Sequence, residues 1–267
     1  MLADPDTRTV VPLPLHDRAP VPLEEVLAGA ARLTRVDRKY LVPVETAATF
    51  VAELPASYRV LTVDGRQVTT YRSTYFDTAD LACCRAHVQQ RRRRWKARSR
   101  LYVEDGLCRV EVKSKDGRGV TEKAVSEEDA GEYGRLGHRA SAFVGTTLVA
   151  LGLDVDVTAL RPTAEVGYRR VTLADTSAEA CRVTIDHDVV ATLGAASVRL
   201  ADDHVLVETK AGPRPSEADR LLVSLGARPR SFSKYVSAAS LVHEDLADND
   251  VRHLLGRQLL LEGPVVA

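Results

Sequence analysis

The side chains of this sequence that could carry out chemistry are mainly cations, and they alternate with smaller residues along two neighbouring segments. The first segment is Lys96–Tyr102 (KARSRLY), and the second is Arg109–Lys115 (RVEVKSK). Because side chains two residues apart point to the same side of a β-strand, each segment would present one charged face. Arginine binds phosphate oxygens through a two-pronged hydrogen bond, and lysine binds them as a point charge. The pattern therefore predicts a site for a phosphate-rich anion.

The same alternation recurs elsewhere, so the charge is spread over several predicted strands. The further charged positions are Arg35, Asp37 and Lys39; Glu165 and Arg169; Arg182, Thr184 and Asp186; and Glu208 and Lys210. An ordinary sheet with one solvated face would explain any single strand of this kind. Cations on neighbouring strands, however, repel one another unless an anion lies among them. This favours a closed barrel with the charged face inward, where the few carboxylates would suit a divalent metal ion that bridges to phosphate.

The elements that position these residues are predicted to be mostly strands. The hydrophobic period predicts strands over 35–42, 58–63, 68–76, 88–103, 107–115, 120–125, 163–173, 182–190 and 205–210. The turns at Asp64-Gly65 and Glu104-Asp105-Gly106 predict two hairpins. Helical spacing predicts helices over 22–33, 43–54, 139–151, 215–225, 234–246 and 251–261. Together these ranges predict an α+β fold of about eight mostly antiparallel strands with flanking helices.

The chain is expected to contain one main folded domain. Residues 1–20 are rich in proline and lack a helical period, so we expect an extended lead-in. Residues 21–246 carry all the charged strands and form the predicted domain. Residues 247–267 are predicted to be a helical tail.

The composition is that of a soluble globular chain with one concentrated basic zone. The 267 residues include 37 Lys+Arg and 37 Asp+Glu, but seven basic residues and no acid lie between Arg91 and Arg100. Such a zone favours a local anion site over a general nucleic-acid surface. The sequence contains no uncharged apolar run of the ~18 residues that a membrane span needs, and its start does not resemble an export signal. The four cysteines lack metal-ligand spacing, so we expect reduced thiols and a cytoplasmic location.

Eight segments in order resemble motifs of the VTC (vacuolar transporter chaperone) domain, the polyphosphate polymerase domain of the CYTH / triphosphate tunnel metalloenzyme superfamily. The segments are Arg35–Tyr40 (RVDRKY), Tyr75–Thr78 (YFDT), Lys96–Tyr102 (KARSRLY), Glu111–Lys115 (EVKSK), Tyr168–Arg170 (YRR), Arg182–Asp186 (RVTID), Glu208–Lys210 (ETK) and Ser231–Tyr235 (SFSKY). Each motif is short, but their common order is specific. The resemblance spans roughly residues 33–240.

The resemblance implies a closed, antiparallel, eight-stranded tunnel barrel. It also implies an enzyme that transfers the γ-phosphate of ATP to a growing polyphosphate chain with Mn²⁺ or Mg²⁺. Carried over position by position, the catalytic phosphate-binding cations would be Lys39, Arg98, Arg100, Lys113, Arg169, Arg182 and Lys234. The ATP phosphates would be held by Lys39, Arg98, Arg100 and Lys113, and the metal ion by Glu208. The expected partners are ATP and inorganic polyphosphate, with no specific nucleic acid and no membrane span.

The sequence departs from the family pattern at the first strand, and alternatives stay open. Asp37 stands where the VTC domain usually has glutamate, which shortens the reach of its carboxylate by about one methylene. Hydrolases of the superfamily typically begin with E-x-E-x-K, and Arg35 replaces the first glutamate, which favours the polymerase branch. A triphosphate hydrolase and a non-enzymatic polyphosphate-binding module are the alternatives. The run Arg91–Arg94 has no counterpart among the motifs.

Overall fold

The computed structural model describes residues 11–30, 36–117, 120–177 and 181–266. Arg35, the first residue of the predicted strand over 35–42, lies outside these ranges. Within them the α-helices are α1 (Leu23–Ala30), α2 (Val44–Glu53), α3 (Ala82–Val88), α4 (His138–Ala150), α5 (Glu217–Ser224) and α6 (Lys234–Val242). None of these helices combines the length and the apolar character that a membrane crossing requires.

The described residues also form twelve strands, which pair mostly antiparallel. The strands are β1 (Pro20–Val21), β2 (Val36–Pro43), β3 (Tyr58–Leu61), β4 (Val68–Asp77), β5 (Arg94–Tyr102), β6 (Leu107–Lys115), β7 (Thr121–Glu128), β8 (Arg161–Asp175), β9 (Arg182–Leu193), β10 (Ala196–Leu200), β11 (His204–Ala211) and β12 (Leu259–Glu262). The predicted α+β class with an antiparallel sheet is therefore confirmed. The strands outnumber the prediction because β1, β10 and β12 are too short to show a clear period in the sequence.

The described residues group into two compact units. Unit 1 contains residues within 1–69, 169–188 and 200–231, and unit 2 contains residues within 70–168, 189–199 and 232–267. The long strands β8 and β9 each contribute one part to unit 1 and one part to unit 2.

Unit 1 is a sheet with one apolar face and one charged face. Its strand order is β2-β11-β9-β8-β3-β1, in which β1 runs parallel to β3. The core on the apolar face joins Phe50 of α2 and Leu222 of α5 to Val171, Ile185 and Val207 of the strands. Because side chains alternate along a strand, the charged residues between these apolar ones lie on the opposite face.

Unit 2 contains the antiparallel meander β4-β5-β6-β7, with β8 beside β4. Helix α4 contacts β6 and β7, and its residues Val144 and Leu148 are buried. Val110 and Val112 of β6 are buried as well, and they alternate with the charged residues of that strand. The hairpin predicted at Glu104-Asp105-Gly106 is confirmed by the β5-β6 pairing.

The hairpin predicted at Asp64-Gly65 is wrong, although the turn itself forms. Asp64 and Gly65 have φ angles of 46° and 77°, and Val63 bridges to Arg66. Beyond this turn the strands separate, because β3 pairs with β1 and β8 whereas β4 pairs with β5.

Two further expectations are corrected. The strand predicted over 88–103 begins only at Arg94, and helix α3 precedes it. The first backbone N–H groups of α3 are capped from a distance, by the Thr78 hydroxyl and the Asp77 carboxylate, so no adjacent cap marks the helix in the sequence. The helix predicted over 251–261 is instead a short 3-10 turn, Arg252–Leu254, followed by β12.

Candidate functional site

The charged side of β5, β6 and β7 gathers most of the predicted phosphate-binding residues of unit 2. We call it the unit 2 cationic face and define it by Lys96, Arg98, Arg100, Arg109, Glu111, Lys113 and Lys123. The strand register places Arg98 opposite Glu111, and Lys113 opposite both Lys96 and Lys123. On the other side of β5, Trp95 and Ala97 are buried. The alternation expected from the sequence is therefore confirmed on these strands.

Glu111 is the centre of this face. Its side chain is buried, with 2% of the residue exposed. One carboxylate oxygen accepts hydrogen bonds from Arg98, whose Nε atom lies 2.7 Å away, and it is also 3.8 Å from Nη1 of Arg100. The other oxygen accepts a 2.5 Å hydrogen bond from Nζ of Lys123. One buried carboxylate thus serves three cations, which leaves the cluster with excess positive charge.

The charges of this cluster shift its ionisation equilibria. Burial opposes the charged form of Glu111, but Arg100, Arg98 and Lys123 outweigh it and hold the pKa of the carboxyl group well below its usual range. Burial lowers the pKa of the Lys123 ammonium to about 8, although Glu111 raises it in part. The carboxylate is therefore ionised at neutral pH and reduces the repulsion among the three cations.

Tyr75 of β4 extends the face with a phenol. Nη1 of Arg98 donates a 2.9 Å hydrogen bond to its hydroxyl oxygen. Burial opposes ionisation of this phenol, but Arg98, Arg100 and Lys96 outweigh burial and lower its pKa to about 8. The Arg98 guanidinium is thus held from one side by Tyr75 and from the other by Glu111, which fixes its orientation.

Lys234, the remaining predicted cation of unit 2, begins helix α6. Its Nζ atom lies 4.4 Å from the centre of the Tyr168 ring. The start of the helix is anchored by Tyr235, which stacks on Tyr75 and donates a 2.8 Å hydrogen bond to Asp77. The YFDT and SFSKY segments therefore pack together, and their contact places Lys234 over an aromatic ring, where a cation is stabilised.

The charged face of unit 1 places the predicted metal ligand beside a predicted cation. Glu208 pairs directly with Lys39 in the β11-β2 register, and its carboxylate bonds to the Lys210 ammonium. The same ammonium lies 3.7 Å from the Asp37 carboxylate. Burial opposes the charged form of Glu208, but Lys210, Lys39 and Arg170 hold the pKa of its carboxyl group well below the usual value.

The residues of unit 1 can be tested for their fit to a divalent metal ion. In the part of the chain that the structure describes, no group of three or more His, Cys, Asp or Glu side chains is placed to hold a metal. The carboxylates of Glu208 and Asp37 nevertheless both lie near one cation, the ammonium group of Lys210. Mg²⁺ is commonly bound by one or two carboxylates together with phosphate oxygens. The donor set fits such an ion, which Glu208 and Asp37 would hold together with a phosphate ligand.

The arginine pair in β8 requires a correction to the predicted placement. Arg170, not Arg169, lies on the charged face of unit 1, where its Nε and Nη2 atoms bond both oxygens of the buried Asp186 at 2.5 Å and 2.7 Å. Arg169 alternates with it and shares the side of the core residue Val171, and its Nη1 atom lies 3.8 Å from Asp188. The motif alone does not show which of the two adjacent arginines lies on the charged face. The alternation of side chains along β8, with Val171 in the core, does show it.

The structure thus distributes the predicted residues between the two units. Lys39, Arg182 and Glu208 lie on the charged face of unit 1, where Arg182 pairs with Lys210 in the register. Arg98, Arg100 and Lys113 lie on the unit 2 cationic face, and Lys234 lies at the start of α6. Sequence reasoning missed Lys123, because no matched motif covers β7. The register places Lys123 beside Lys113 on the cationic face, and the ion pair with Glu111 shows that it belongs to the cluster.

Comparison with known proteins agrees with these motifs. A model of the VTC domain matches residues 34–243, which is most of the chain, and the chain belongs to that family. Membership agrees with the α+β fold and the mostly antiparallel sheet that the described residues form. Comparison with curated proteins gives no match.

Solved structures give weaker likenesses. A Bacillus halodurans protein described as a candidate adenylate cyclase is 14% identical, with a TM-score of 0.47 over 75% of this chain and 94% of its own. A Hippeastrum protein described as a candidate adenylyl cyclase with a dominant triphosphatase activity is 16% identical, with a TM-score of 0.44 over 76% of this chain and 93% of its own. Because these identities and scores are low, the assignment rests on the domain match.

Proposed function

We propose that this protein is a polyphosphate polymerase that transfers the γ-phosphate of ATP to the end of a growing polyphosphate chain. The observation that carries the proposal is the unit 2 cationic face, which holds six cations and one buried carboxylate, and on which Arg98, Arg100 and Lys123 share that carboxylate. A triphosphate carries about four negative charges near neutral pH, and excess cations of this kind would neutralise them.

The unit 2 cationic face suits phosphoryl transfer because that reaction asks a protein mainly for positioning and charge neutralisation. A terminal oxygen of the acceptor chain attacks the γ-phosphorus, the bond to the β-phosphate oxygen breaks, and ADP leaves with that electron pair. Arg98 and Arg100 hold the equatorial phosphate oxygens, and Lys113 and Lys123 add point charges. Glu111 and Tyr75 keep the Arg98 guanidinium in a fixed orientation before the substrate binds.

The residues of unit 1 keep the roles that the family implies, with one change. Lys39 and Arg182 bind phosphate, and Arg170 replaces Arg169 in that role because Arg170 lies on the charged face. Glu208, with Asp37, would hold a divalent ion. When bound, such an ion would neutralise part of the phosphate charge.

The proposal is tested by incubating the purified protein with ATP labelled in the γ-phosphate and with Mn²⁺ or Mg²⁺. Label in a polymer that resists nucleases and is degraded by a polyphosphatase supports the polymerase. Release of free phosphate without polymer would show a triphosphate hydrolase, and binding without any turnover would show a non-enzymatic polyphosphate-binding module. Either result refutes the proposal.

The variant Arg100→Ala tests whether the activity depends on the unit 2 cationic face. We expect Arg100→Ala to lower kcat about 10²-fold, the cost of removing one donor that acts in the transition state. The matched control is Arg139→Ala, because the side chain of Arg139 is 76% exposed and pairs only loosely with Glu128. Unchanged turnover in Arg100→Ala, with thermal melting like that of the control, would contradict the role of this residue.

A further inference from the structure

We propose that the exposed arginines Arg91–Arg93, with Arg94 and Lys115, form a surface track that binds linear polyphosphate chains longer than a triphosphate. The proposal deepens the function proposed above, since it rests on polyphosphate being the product. Apart from Lys115, the last residue of the EVKSK segment, its residues lie outside the matched motifs, because Arg91–Arg94 precedes the KARSRLY segment.

Along β5 the unit 2 cationic face extends as far as Arg94, the first residue of the strand. Arg100, Arg98, Lys96 and Arg94 alternate along one side of β5. Lys115 pairs with Arg94 in the β5-β6 register, just as Lys113 pairs with Lys96. At about 3.4 Å per strand residue, Arg100 and Arg94 are roughly 20 Å apart along the strand. A triphosphate at Arg98 and Arg100 is too short to reach Arg94, whereas a longer chain of the same chemistry can follow the whole row.

Burial is greatest at Arg100 and lowest in the loop before β5. Arg100 is buried, with 7% of the residue exposed, whereas the side chain of Arg98 is 22% exposed. Lys96 and Arg94 are half-buried, and Arg91, Arg92 and Arg93 are exposed. The cations therefore lead from the interior to the surface at the loop before β5, which is the course that an elongating polyanion would need.

Within the described ranges, the positive charge of the loop is not neutralised by acidic side chains. Among the described residues, no acidic side chain forms an ion pair with Arg91, Arg92, Arg93 or Arg94. Their polar contacts are to neutral groups, as Arg91 donates to the Gln89 side chain and Arg94 to the Arg91 carbonyl. Adjacent cations without counter-charge repel one another, so binding of a dense linear anion relieves this repulsion.

The aromatic residue of this segment argues for polyphosphate over nucleic acid. Proteins that bind single-stranded nucleic acid stack the bases on exposed aromatic side chains. Trp95 follows the arginine run directly, but only 5% of it is exposed and it points to the side of β5 opposite the cations. The track therefore offers charge without a stacking surface, which suits a polyanion that has no bases.

The test measures binding without ATP or metal, so it does not depend on turnover. Equilibrium affinities for tripolyphosphate and for long-chain polyphosphate are compared between the wild type and the triple variant Arg91→Ser/Arg92→Ser/Arg93→Ser. The control triple variant, Arg139→Ser/Arg161→Ser/Arg252→Ser, removes the same charge from other exposed positions. Thermal melting confirms that both variants are folded.

We expect the track variant to bind long-chain polyphosphate about tenfold more weakly, at unchanged affinity for tripolyphosphate, and the control variant to bind both like the wild type. An unchanged long-chain affinity, an equal loss for tripolyphosphate, or an equal loss in the control variant would overturn the proposal. Equal competition by single-stranded RNA would also overturn it and show a general polyanion surface. A chain-length-dependent loss in a protein that makes no polymer would refute the polymerase but leave the track in place.

Discussion

Replacing Glu111 by glutamine should lower the free energy of unfolding of the protein. It should also increase the stabilisation that bound tripolyphosphate provides. The substitution keeps the shape of the side chain but leaves Arg98, Arg100 and Lys123 without their shared carboxylate. Removing one partner of a buried ion pair costs about 3–5 kcal/mol. We expect about 3 kcal/mol here, because the amide oxygen still accepts a hydrogen bond and the Lys123 side chain is 45% exposed to water. In urea unfolding this corresponds to a midpoint lower by about 1–2 M at an unchanged slope.

Tripolyphosphate should restore more stability to Glu111→Gln than to the wild type, because the anion takes over the charge compensation that the carboxylate supplied. The matched control is Glu127→Gln, which removes a 64% exposed carboxylate from Arg109 and should change stability by less than about 1 kcal/mol. Equal stability of Glu111→Gln and wild type, or equal stabilisation of both by tripolyphosphate, would refute the reasoning.

The pH dependence of folding stability tests the role of Glu111 independently. The pKa of Glu111 is lowered on folding, so its contribution to stability is complete above the ordinary carboxyl pKa of 4.5 and is lost as the pH falls below that value towards the folded pKa. Acid should therefore destabilise the wild type more steeply than Glu111→Gln, because the amide does not titrate. Parallel stability curves below about pH 4.5 would contradict the assigned ion cluster.

Three other perturbations test the remaining assignments. Arg170→Lys keeps the charge but loses the two-pronged bond to Asp186, and we expect kcat/KM to fall at least about tenfold, whereas Arg169→Lys should change it by less than about twofold; equal effects would return the role to Arg169. The Tyr75 phenol ionises at about pH 8, and its negative charge then offsets Arg98, so KM for the triphosphate should rise above that pH in the wild type. The KM profile of Tyr75→Phe should stay flat there, and an alkaline rise that persists in this variant would assign the effect to another group. Glu208→Gln should weaken Mn²⁺ binding in the presence of tripolyphosphate at least about tenfold, read from the electron paramagnetic resonance signal of free Mn²⁺, and an unchanged affinity would exclude this carboxylate as a ligand.

The sequence alone determined the charged strands and the family. The alternation of Lys96, Arg98 and Arg100 with Ala97 and Ser99 is a local property of the strand, so it predicted which side of β5 would carry the cations. The ordered motifs identified the VTC domain, and the family match over residues 34–243 confirms that resemblance. These features could be predicted because they depend on residue spacing within single segments.

The tertiary structure decided which segments meet. The Asp64-Gly65 turn forms as its residue types require, yet β3 and β4 pair with other strands. Strand pairing depends on packing between residues that are far apart in the sequence. Similarly, Lys123 joins the cluster only through the β6-β7 register, and the choice of Arg170 over Arg169 follows from which side of β8 faces the core. In the sequence Glu111 is one acid in a basic motif, whereas in the folded chain it is buried and is the shared partner of three cations. A carboxylate removed from water must be compensated by the charges around it.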